Sequence, residues 1–357
     1  MMTPASNNKF FRGRGAQFNP HNRFQKHEYL KEFPEGIDLW EKDEVKTEYF
    51  EDYGRSIANK VSSPDIPIAY SVNPYQGCEH GCIYCYARNS HEYWGVSAGT
   101  DFESKIVIKK RAPELLRQLF SSKKWKAQPI SLSGNTDCYQ PAERKLQLTR
   151  ELLKVCLDYQ NPVGIITKNK LILRDLDLLQ ELASNNLLCV YTSITSVDEK
   201  LRRKLEPRTS TYKDRFEIIE SLSKHNIPVG VMNAPIIPGL NDIHMYEVLR
   251  QAGLHGARYA GYTMVRLNGA LGVLFADWLD KFFPDRKDKV LNLIRDAHGG
   301  QLNDSRFGKR MKGEGNLAEI ISQQFKRYRK QFGFETNSFE YNTKDFKRLQ
   351  AGQLRLF

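Results

Sequence analysis

Residues 73–89 read NPYQGCEHGCIYCYARN, and this stretch decides which fold the sequence predicts. It contains Cys78, Cys82 and Cys85 in a CxxxCxxC spacing. An Asn-Pro pair opens the stretch in a turn, and two glycines allow backbone conformations that other residues avoid. A loop of this kind can bring three thiolates to the corners of one metal cluster.

The number of cysteines in the loop limits the kind of metal site. A cubane cluster of four irons normally takes four thiolates, but the other cysteines, Cys138, Cys156 and Cys189, are isolated in the sequence. With three thiolates, one iron stays open to a substrate or cofactor, as catalytic metals keep a free position. The alternative is zinc with His80 or His91 as fourth ligand, although the second CxxC pair typical of zinc loops is missing from the sequence.

Hydrophobic periodicity predicts the framework around this loop. Between residues 66 and 268, short β-branched or apolar runs alternate with longer amphipathic runs, as in repeated βα units. The predicted strands cover residues 68–72, 129–132, 163–167, 188–193, 228–233 and 258–263, and the predicted helices cover 142–159, 171–183, 212–225 and 243–252. Such a parallel sheet either opens as a doubly wound sheet or closes as a barrel. Six strands with polar residues at their ends favour an α/β fold of the partial (β/α)6 TIM-type barrel.

Composition changes towards both ends of the chain. Residues 1 to about 35 are rich in Asn, Phe, Gly and Arg without a helical or strand period, which predicts a flexible basic arm. Residues 269–357 contain helical stretches near Trp278 and Ile294, a Gly-rich piece and a basic segment. We therefore divide the chain into a basic N-terminal arm and extension (1–60), a barrel (61–268) and a C-terminal helical and basic extension (269–357).

Overall composition excludes several classes of protein. Of the 357 residues, 40% are hydrophobic and 27% are charged, which excludes a disordered or fibrous chain. No apolar run approaches the roughly 18 residues of a membrane span, and the N-terminus lacks the apolar segment of a secretory signal. We expect a cytoplasmic protein without membrane contact, whose cysteines are reduced thiols.

The charge balance indicates a polyanionic partner. Lys and Arg number 54 against 42 Asp and Glu, a net charge of +12, which attracts polyanions before any specific contact forms. Aromatic residues interleave with basic ones at Phe10, Phe11, Phe18, Phe24, Phe325 and Tyr328. Stacking on unpaired bases requires such an arrangement. The alternative is that these segments are solvated or pack on the barrel.

The cysteine loop resembles the signature of the radical S-adenosylmethionine (radical SAM) superfamily, CxxxCx-aromatic-C after the first strand of a partial barrel. The resemblance implies a 4Fe-4S cluster bound by Cys78, Cys82 and Cys85, whose open iron binds S-adenosylmethionine. It also implies reductive cleavage of this cofactor to a 5'-deoxyadenosyl radical, which abstracts hydrogen from a substrate.

Four further segments are similar to the spore photoproduct lyase-like branch, also described as DNA repair photolyase-like. They cover residues 85–88, 135–137, 167–169 and 234–242, and all follow predicted strands, so they converge on the rim where such barrels place active sites. The resemblance implies a DNA repair lyase-like enzyme with an electron donor such as flavodoxin or ferredoxin. The alternatives are a radical SAM enzyme that modifies tRNA, a peptide or a small metabolite, and a non-catalytic Fe-S protein associated with DNA.

The resemblance also implies which residues contact the cofactor. They are Tyr84, Tyr86, Thr136, Asp137, Lys168, Ser193, Arg208, Pro235 and Gly239. Thr136 and Asp137 would face the methionine ammonium, Lys168 or Arg208 its carboxylate, and Ser193 the ribose. The backbone of residues 235–239 would lie against adenine. Each position has a plainer alternative, namely a solvated lysine, a turn-forming serine or an ordinary loop.

Cys138 is the predicted catalytic thiol. It follows Asp137 at the predicted rim, where a thiol could return a hydrogen atom to a substrate radical. Spore photoproduct lyases use a cysteine near this strand end, although theirs precedes the Thr-Ser-Asp segment. The alternative is packing, which is also the interpretation of Cys156 and Cys189, since both lie in apolar runs.

The last five residues, QLRLF, resemble the QLxLF peptide by which bacterial repair proteins dock on the DNA sliding clamp. Gln353, Leu354, Leu356 and Phe357 would make the contacts. Because short docking peptides depend on a few buried anchors, deleting Leu356 and Phe357 should abolish binding to purified clamp in fluorescence anisotropy. Equal binding by the full-length and shortened proteins would contradict this prediction.

Overall fold

The computed structural model describes residues 11–24, 45–66 and 68–349. The expected clamp peptide, residues 353–357, lies outside the described residues. In the part of the chain that is described, no helix is both long and apolar enough to span a membrane.

The described residues form ten strands and eleven α-helices. The strands are β1 (Glu48–Glu51), β2 (Ala58–Lys60), β3 (Tyr70–Val72), β4 (Tyr75–Gln76), β5 (Lys105–Ile108), β6 (Ile130–Leu132), β7 (Val163–Thr167), β8 (Leu188–Ser193), β9 (Val229–Ile236) and β10 (Tyr259–Met264). The helices are α1 (Asp101–Ser104), α2 (Ala112–Ser121), α3 (Glu143–Leu146), α4 (Leu148–Tyr159), α5 (Leu176–Ser184), α6 (Glu199–Leu205), α7 (Tyr212–Lys224), α8 (Met245–Leu254), α9 (Leu271–Phe282), α10 (Lys287–Asp296) and α11 (Asn316–Gln331). A 3₁₀ helix, Tyr86–Trp94, follows the cysteines.

The main sheet has seven strands in the order β10-β9-β8-β7-β6-β3-β2. β3 and β6 to β10 are parallel, and β2 adds an antiparallel edge. Because the parallel strands follow the chain order without the reversal of a doubly wound sheet, the arrangement is that of a TIM-type barrel. β10 and β2 are its two edges, so the barrel is partial, which confirms the predicted fold class.

Several predicted boundaries were wrong, and two of these errors concern elements near the candidate site. The predicted helix over 142–159 is broken at Gln147, whose φ of +52° ends α3, while the Glu143 carboxylate accepts the Thr149 N–H at 3.0 Å in the first turn of α4. β9 continues to Ile236 because its end pairs with Met264 of β10. Part of the expected loop over 234–242 is therefore strand.

The two faces of the sheet differ in burial. One face carries apolar residues such as Ile165, Val190 and Val231, which belong to one fully buried cluster with the inner faces of α4, α5, α7 and α8. On the other face, Ile166, Tyr191 and Met232 are only half-buried. Strand side chains alternate between faces, so this second, concave face of the barrel borders open space.

The C-terminal segment closes one end of the concave face. After α11 the backbone donates to carbonyls that precede three barrel strands, from Glu335 to Arg258, from Asn342 to Asn186 and from Lys347 to Tyr159, at 2.8–2.9 Å. Tyr341 enters the concave face, since a Cβ on Gly164 would lie 2.8 Å from its hydroxyl. The segment therefore forms the floor of the barrel, opposite the rim.

The aromatic residues of α11 pack rather than face solvent. Phe325 is 5% exposed and lies 4.5 Å from the Tyr262 ring, and the Tyr328 ring lies 5.1 Å from that of Tyr246. Stacking of Phe325 on bases was therefore a wrong expectation, because this helix needs an apolar face to pack on the barrel.

Residues 11–24 pack on the loop that follows β4, whereas composition predicted a flexible arm. Arg14, Ala16 and Asn22 are each at most 5% exposed. Arg14 and Asn22 donate to the carbonyls of Glu103 and Glu92, and the Ala16 N–H donates to the Glu103 carboxylate. Hydrophobic periodicity does not reveal contacts of this kind. The three-part division of the chain stays a prediction.

Candidate active site

The cysteine loop lies buried between its neighbours. Cys78 and Cys82 are each 7% exposed, and Cys85 is half-buried. Backbone hydrogen bonds fix the loop from two sides, since the Cys78 N–H donates to Phe102 at 2.8 Å and the Ile83 N–H donates to Leu205 at 3.0 Å. The three thiols are free, and Cys82 and Cys85 both lie within electrostatic range of Cys78.

Burial decides the protonation of these thiols. It raises the pKa of all three cysteines. The pKa of Cys82 rises to about 12, although the nearby Lys168 ammonium opposes part of this increase. The thiols are therefore neutral at pH 7 until a metal stabilises the thiolates. Three buried thiols without a fourth cysteine in the loop suit a four-iron cluster with one open iron.

The zinc alternative finds little support in the two histidines. The His80 nitrogens lie 3.4 Å from the Asp137 carboxylate and 3.0 Å from the Asn169 side chain. His91 packs against the Phe102 ring at 5.5 Å, and burial lowers its pKa to about 4. Among the described residues, no three His, Cys, Asp or Glu side chains are grouped to hold a single metal ion.

Lys168 and Ser193 meet at the mouth of the concave face. Thr167 pairs with Thr192, so the next residues along both strands lie side by side and point to the concave face. Burial by itself lowers the pKa of Lys168. The Cys82 thiolate and the Glu206 carboxylate raise it by more than burial lowers it, so the net shift is upward. The ammonium therefore stays charged beside the cysteines.

Asp137 joins the ends of two strands. Its carboxylate accepts hydrogen bonds from the Thr167 hydroxyl at 2.8 Å, the Lys168 N–H at 2.8 Å and the Tyr139 N–H at 2.9 Å. Burial would raise the pKa of Asp137, but His80 and these donors lower it to about 2. Neighbouring Thr136 donates to the Tyr75 carbonyl at 2.6 Å. Direct contact of either residue with the cofactor stays a prediction.

A buried ion pair that the sequence did not predict supports the last cysteines. Glu206 and Arg215, both 0% exposed, are 2.5 Å apart, and the Tyr84 hydroxyl also donates to Glu206. Arg215 further donates to the Ser193 carbonyl at 3.0 Å. The ion pair therefore connects Tyr84 and Ser193, two of the predicted cofactor residues, by hydrogen bonds. The only sign of this ion pair in the sequence was that a Glu and an Arg lie close to Arg208, a predicted cofactor residue.

The rim carries three cations without a carboxylate ion pair among the described residues, namely Lys168, Arg208 and Arg266. Arg208 is exposed. Arg266 follows β10 and is half-buried over the Tyr86 ring at 5.9 Å, while the Tyr86 hydroxyl donates to the Gly134 carbonyl at 2.5 Å. Sequence analysis missed Arg266, which lacks a recognisable motif.

The loop after β9 holds its own shape. The Pro235 carbonyl accepts from the Asn241 side chain at 3.1 Å, and Gly239 has a φ of +76°. A Cβ on Gly239 would lie 2.9 Å from the Leu293 side chain. The predicted contact of this loop with adenine stays a prediction.

Cys138 lies away from the concave face. It is 0% exposed within the apolar cluster between sheet and helices, and the Thr149 hydroxyl of α4 donates to its carbonyl at 2.6 Å. Burial raises the pKa of the thiol well above its usual value. These surroundings favour packing, and hydrogen donation by Cys138 stays a prediction.

Known proteins are similar to this chain in sequence and in fold. A family model described as the radical SAM superfamily matches residues 72–252. An uncharacterized protein of Mycobacterium tuberculosis is 32% identical over 244 residues, which cover 68% of this chain and 72% of that protein. A protein of Methanocaldococcus jannaschii, also uncharacterized, is 30% identical over 184 residues, 51% of this chain and 66% of that protein. A solved structure of spore photoproduct lyase complexed with dinucleoside spore photoproduct has a TM-score of 0.57 at 16% identity, covers 80% of each chain and shows likeness of fold.

Replacing Glu206 by Gln should destabilise the apo-protein by about 3 kcal/mol, because Arg215 would keep a buried charge without its partner. Denaturant unfolding measures the change. Glu220→Gln is the matched control, since its pair with Lys224 is solvent-exposed and should contribute little to stability. Equal losses in the two variants would contradict the structural role of Glu206.

Proposed function

The chain belongs to the radical SAM superfamily, and we propose that it binds a 4Fe-4S cluster and S-adenosylmethionine and acts on nucleic acid, with a DNA lesion as substrate. The observation that carries the proposal is the buried CxxxCxxC loop, in which Lys168 lies within electrostatic range of Cys82 and Cys85 beside a half-open concave face. Superfamily membership makes the chain a radical SAM enzyme and leaves the substrate to be found.

Different residues of the rim would bind different parts of the cofactor. When bound, the cluster and S-adenosylmethionine supply an electron and a 5'-deoxyadenosyl radical able to take hydrogen from an unactivated carbon. Lys168 binds the carboxylate of methionine as a point charge, and Ser193 lies next to it for the ribose. Asp137 and Glu206 position these two through the contacts described above. The floor formed by the C-terminal segment keeps water from entering the barrel opposite the rim.

Charge supports a nucleic-acid substrate over a metabolite. The chain has a net charge of +12. Among the described residues, Arg208 and Arg266 form no ion pair within 4 Å, while Asp65, which pairs with Arg310, lies within electrostatic range of Arg266. Unpaired guanidinium groups beside an active site suit phosphates. The lyase whose fold is similar binds a dinucleoside photoproduct, which supports a lesion as substrate here.

Two protein partners belong to the proposal. A flavodoxin or ferredoxin would deliver the electron, and a sliding clamp would bind residues 353–357. Free thiols and a cluster suit the reducing cytoplasm.

Anaerobically reconstituted protein should bind about four irons and four sulfides and form 5'-deoxyadenosine from S-adenosylmethionine and dithionite. With ultraviolet-irradiated DNA carrying deuterated thymine, mass spectrometry should detect deuterium moved to deoxyadenosine or to a repaired product. Ala at Cys78, Cys82 or Cys85 should abolish both reactions, whereas Cys156→Ala, a buried control on α4, should retain them. Stoichiometric zinc without charge-transfer absorption would contradict the proposal. Deuterium transfer from RNA alone would favour the tRNA alternative.

Arg266→Ala should weaken DNA binding several-fold and lower the slope of log affinity against log salt by about 1, as loss of one phosphate contact predicts. Arg258→Ala is the matched control, because it removes an arginine at the other end of β10, where Glu335 pairs with it at 2.7 Å. Anisotropy titrations over a salt series measure both slopes. Identical slopes for the two variants would remove Arg266 from the substrate site.

A further inference from the structure

The N-terminal segment packs directly on the cysteine loop, and the proposed chemistry gives it no role. We name residues 14–22 the cover. A Cβ on Gly15 would lie 1.8 Å from the carbonyl oxygen of Gly81, which lies between Cys78 and Cys82. This backbone contact leaves no room for a side chain at residue 15.

A buried carboxylate joins the cover to the loop. Glu103 accepts hydrogen bonds from the N–H groups of Gly15 at 3.0 Å and Ala16 at 2.7 Å. Its third partner is the Arg88 guanidinium at 2.5 Å, and both charged side chains are 0% exposed. Arg88 also donates to the carbonyl of Cys82 at 3.0 Å. A continuous chain of hydrogen bonds therefore runs from the cover to a cluster ligand.

Hydrogen bonds to backbone carbonyls hold both ends of the cover in place. Arg14, 5% exposed, donates to the Glu103 carbonyl at 2.6 Å and to the Val45 carbonyl at 2.6 Å. At the other end, the Asn22 side chain donates to the Glu92 carbonyl at 3.0 Å. Asn and Arg side chains that bind backbone carbonyls hold a segment in one conformation without a hydrophobic stripe.

We propose that the cover holds the segment between Cys78 and Cys82 in its cluster-binding conformation, so that Arg14 and Gly15 act as positioning residues that retain the cluster. The inference rests on the proposed function, because it places the cluster in this loop. A loop with glycines at 77 and 81 has many accessible conformations, and contact with the cover removes most of them. Iron then leaves only after several buried hydrogen bonds open.

The test compares Gly15→Ala with Gly13→Ala in the full chain after anaerobic reconstitution. Alanine at residue 15 would overlap the Gly81 carbonyl, whereas a Cβ at residue 13 meets nothing within 4 Å, although its φ of +74° adds strain. Iron release is followed with a ferrous chelator and by loss of visible absorbance, without cofactor or substrate. Gly15→Ala should release iron at least about tenfold faster than wild type, since more than one buried hydrogen bond is lost. Gly13→Ala should stay within about threefold.

Arg14→Ala is the second variant, because it leaves the contact between Gly15 and Gly81 intact. It tests the role of the cover if circular dichroism shows that Gly15→Ala does not fold. It should also accelerate iron release, by about fivefold, since it loses two buried hydrogen bonds to backbone while Gly15 keeps its own. Wild-type protein that takes up no Fe-S cluster would overturn the proposed function itself. If wild type is loaded, release at the wild-type rate from the folded variants, or equal acceleration by Gly13→Ala and Gly15→Ala, would overturn the role of the cover alone.

Discussion

The ion pair between Arg88 and Glu103 is the interaction on which the shape of the cysteine loop depends. Both groups are fully buried, and a buried charge without a partner is among the costliest defects in a protein interior. Each therefore has to be paired and fully hydrogen-bonded. The guanidinium reaches the carbonyls of Cys82 and Gly99, and the carboxylate reaches the backbone of residues 15 and 16. A glycine-containing loop that lacks regular structure before its 3₁₀ helix is thereby held in one conformation.

The sheet supplies the second constraint, because its two faces are covered in different ways. Helices bury one face completely, as parallel βα units require. The concave face is closed at its floor by Tyr341 and the C-terminal segment, and the cysteine loop lies over its mouth. The side chains between these two closures are half-buried, and the proposed cofactor would bind in this space. The proposed chemistry therefore lies at the rim, where Lys168 is within electrostatic range of Cys82 and Cys85.

The cations of the rim lack the carboxylate partners that many exposed arginines have. Many exposed arginines elsewhere are neutralised by a nearby carboxylate, as Arg250 is by Glu247 and Arg258 by Glu335. At the rim, Lys168, Arg208 and Arg266 have no such ion pair within the described residues. Because unpaired cations attract anions, these three residues suit the phosphate backbone of the proposed substrate.

The sequence by itself determined the cysteine loop, the six parallel strands and the ends of β7 and β8, because spacing and hydrophobic period are properties of neighbouring residues. It also indicated that Lys168 and Ser193 follow strand ends, which the register then placed side by side. Only the tertiary structure decided that Arg88 pairs with Glu103 and Glu206 with Arg215, that residues 14–22 cover the loop, and that Cys138 lies on the helix side of the sheet. The physical reason is that a buried charge or thiol acquires its partners through packing between distant segments, and no local period records which segments those are.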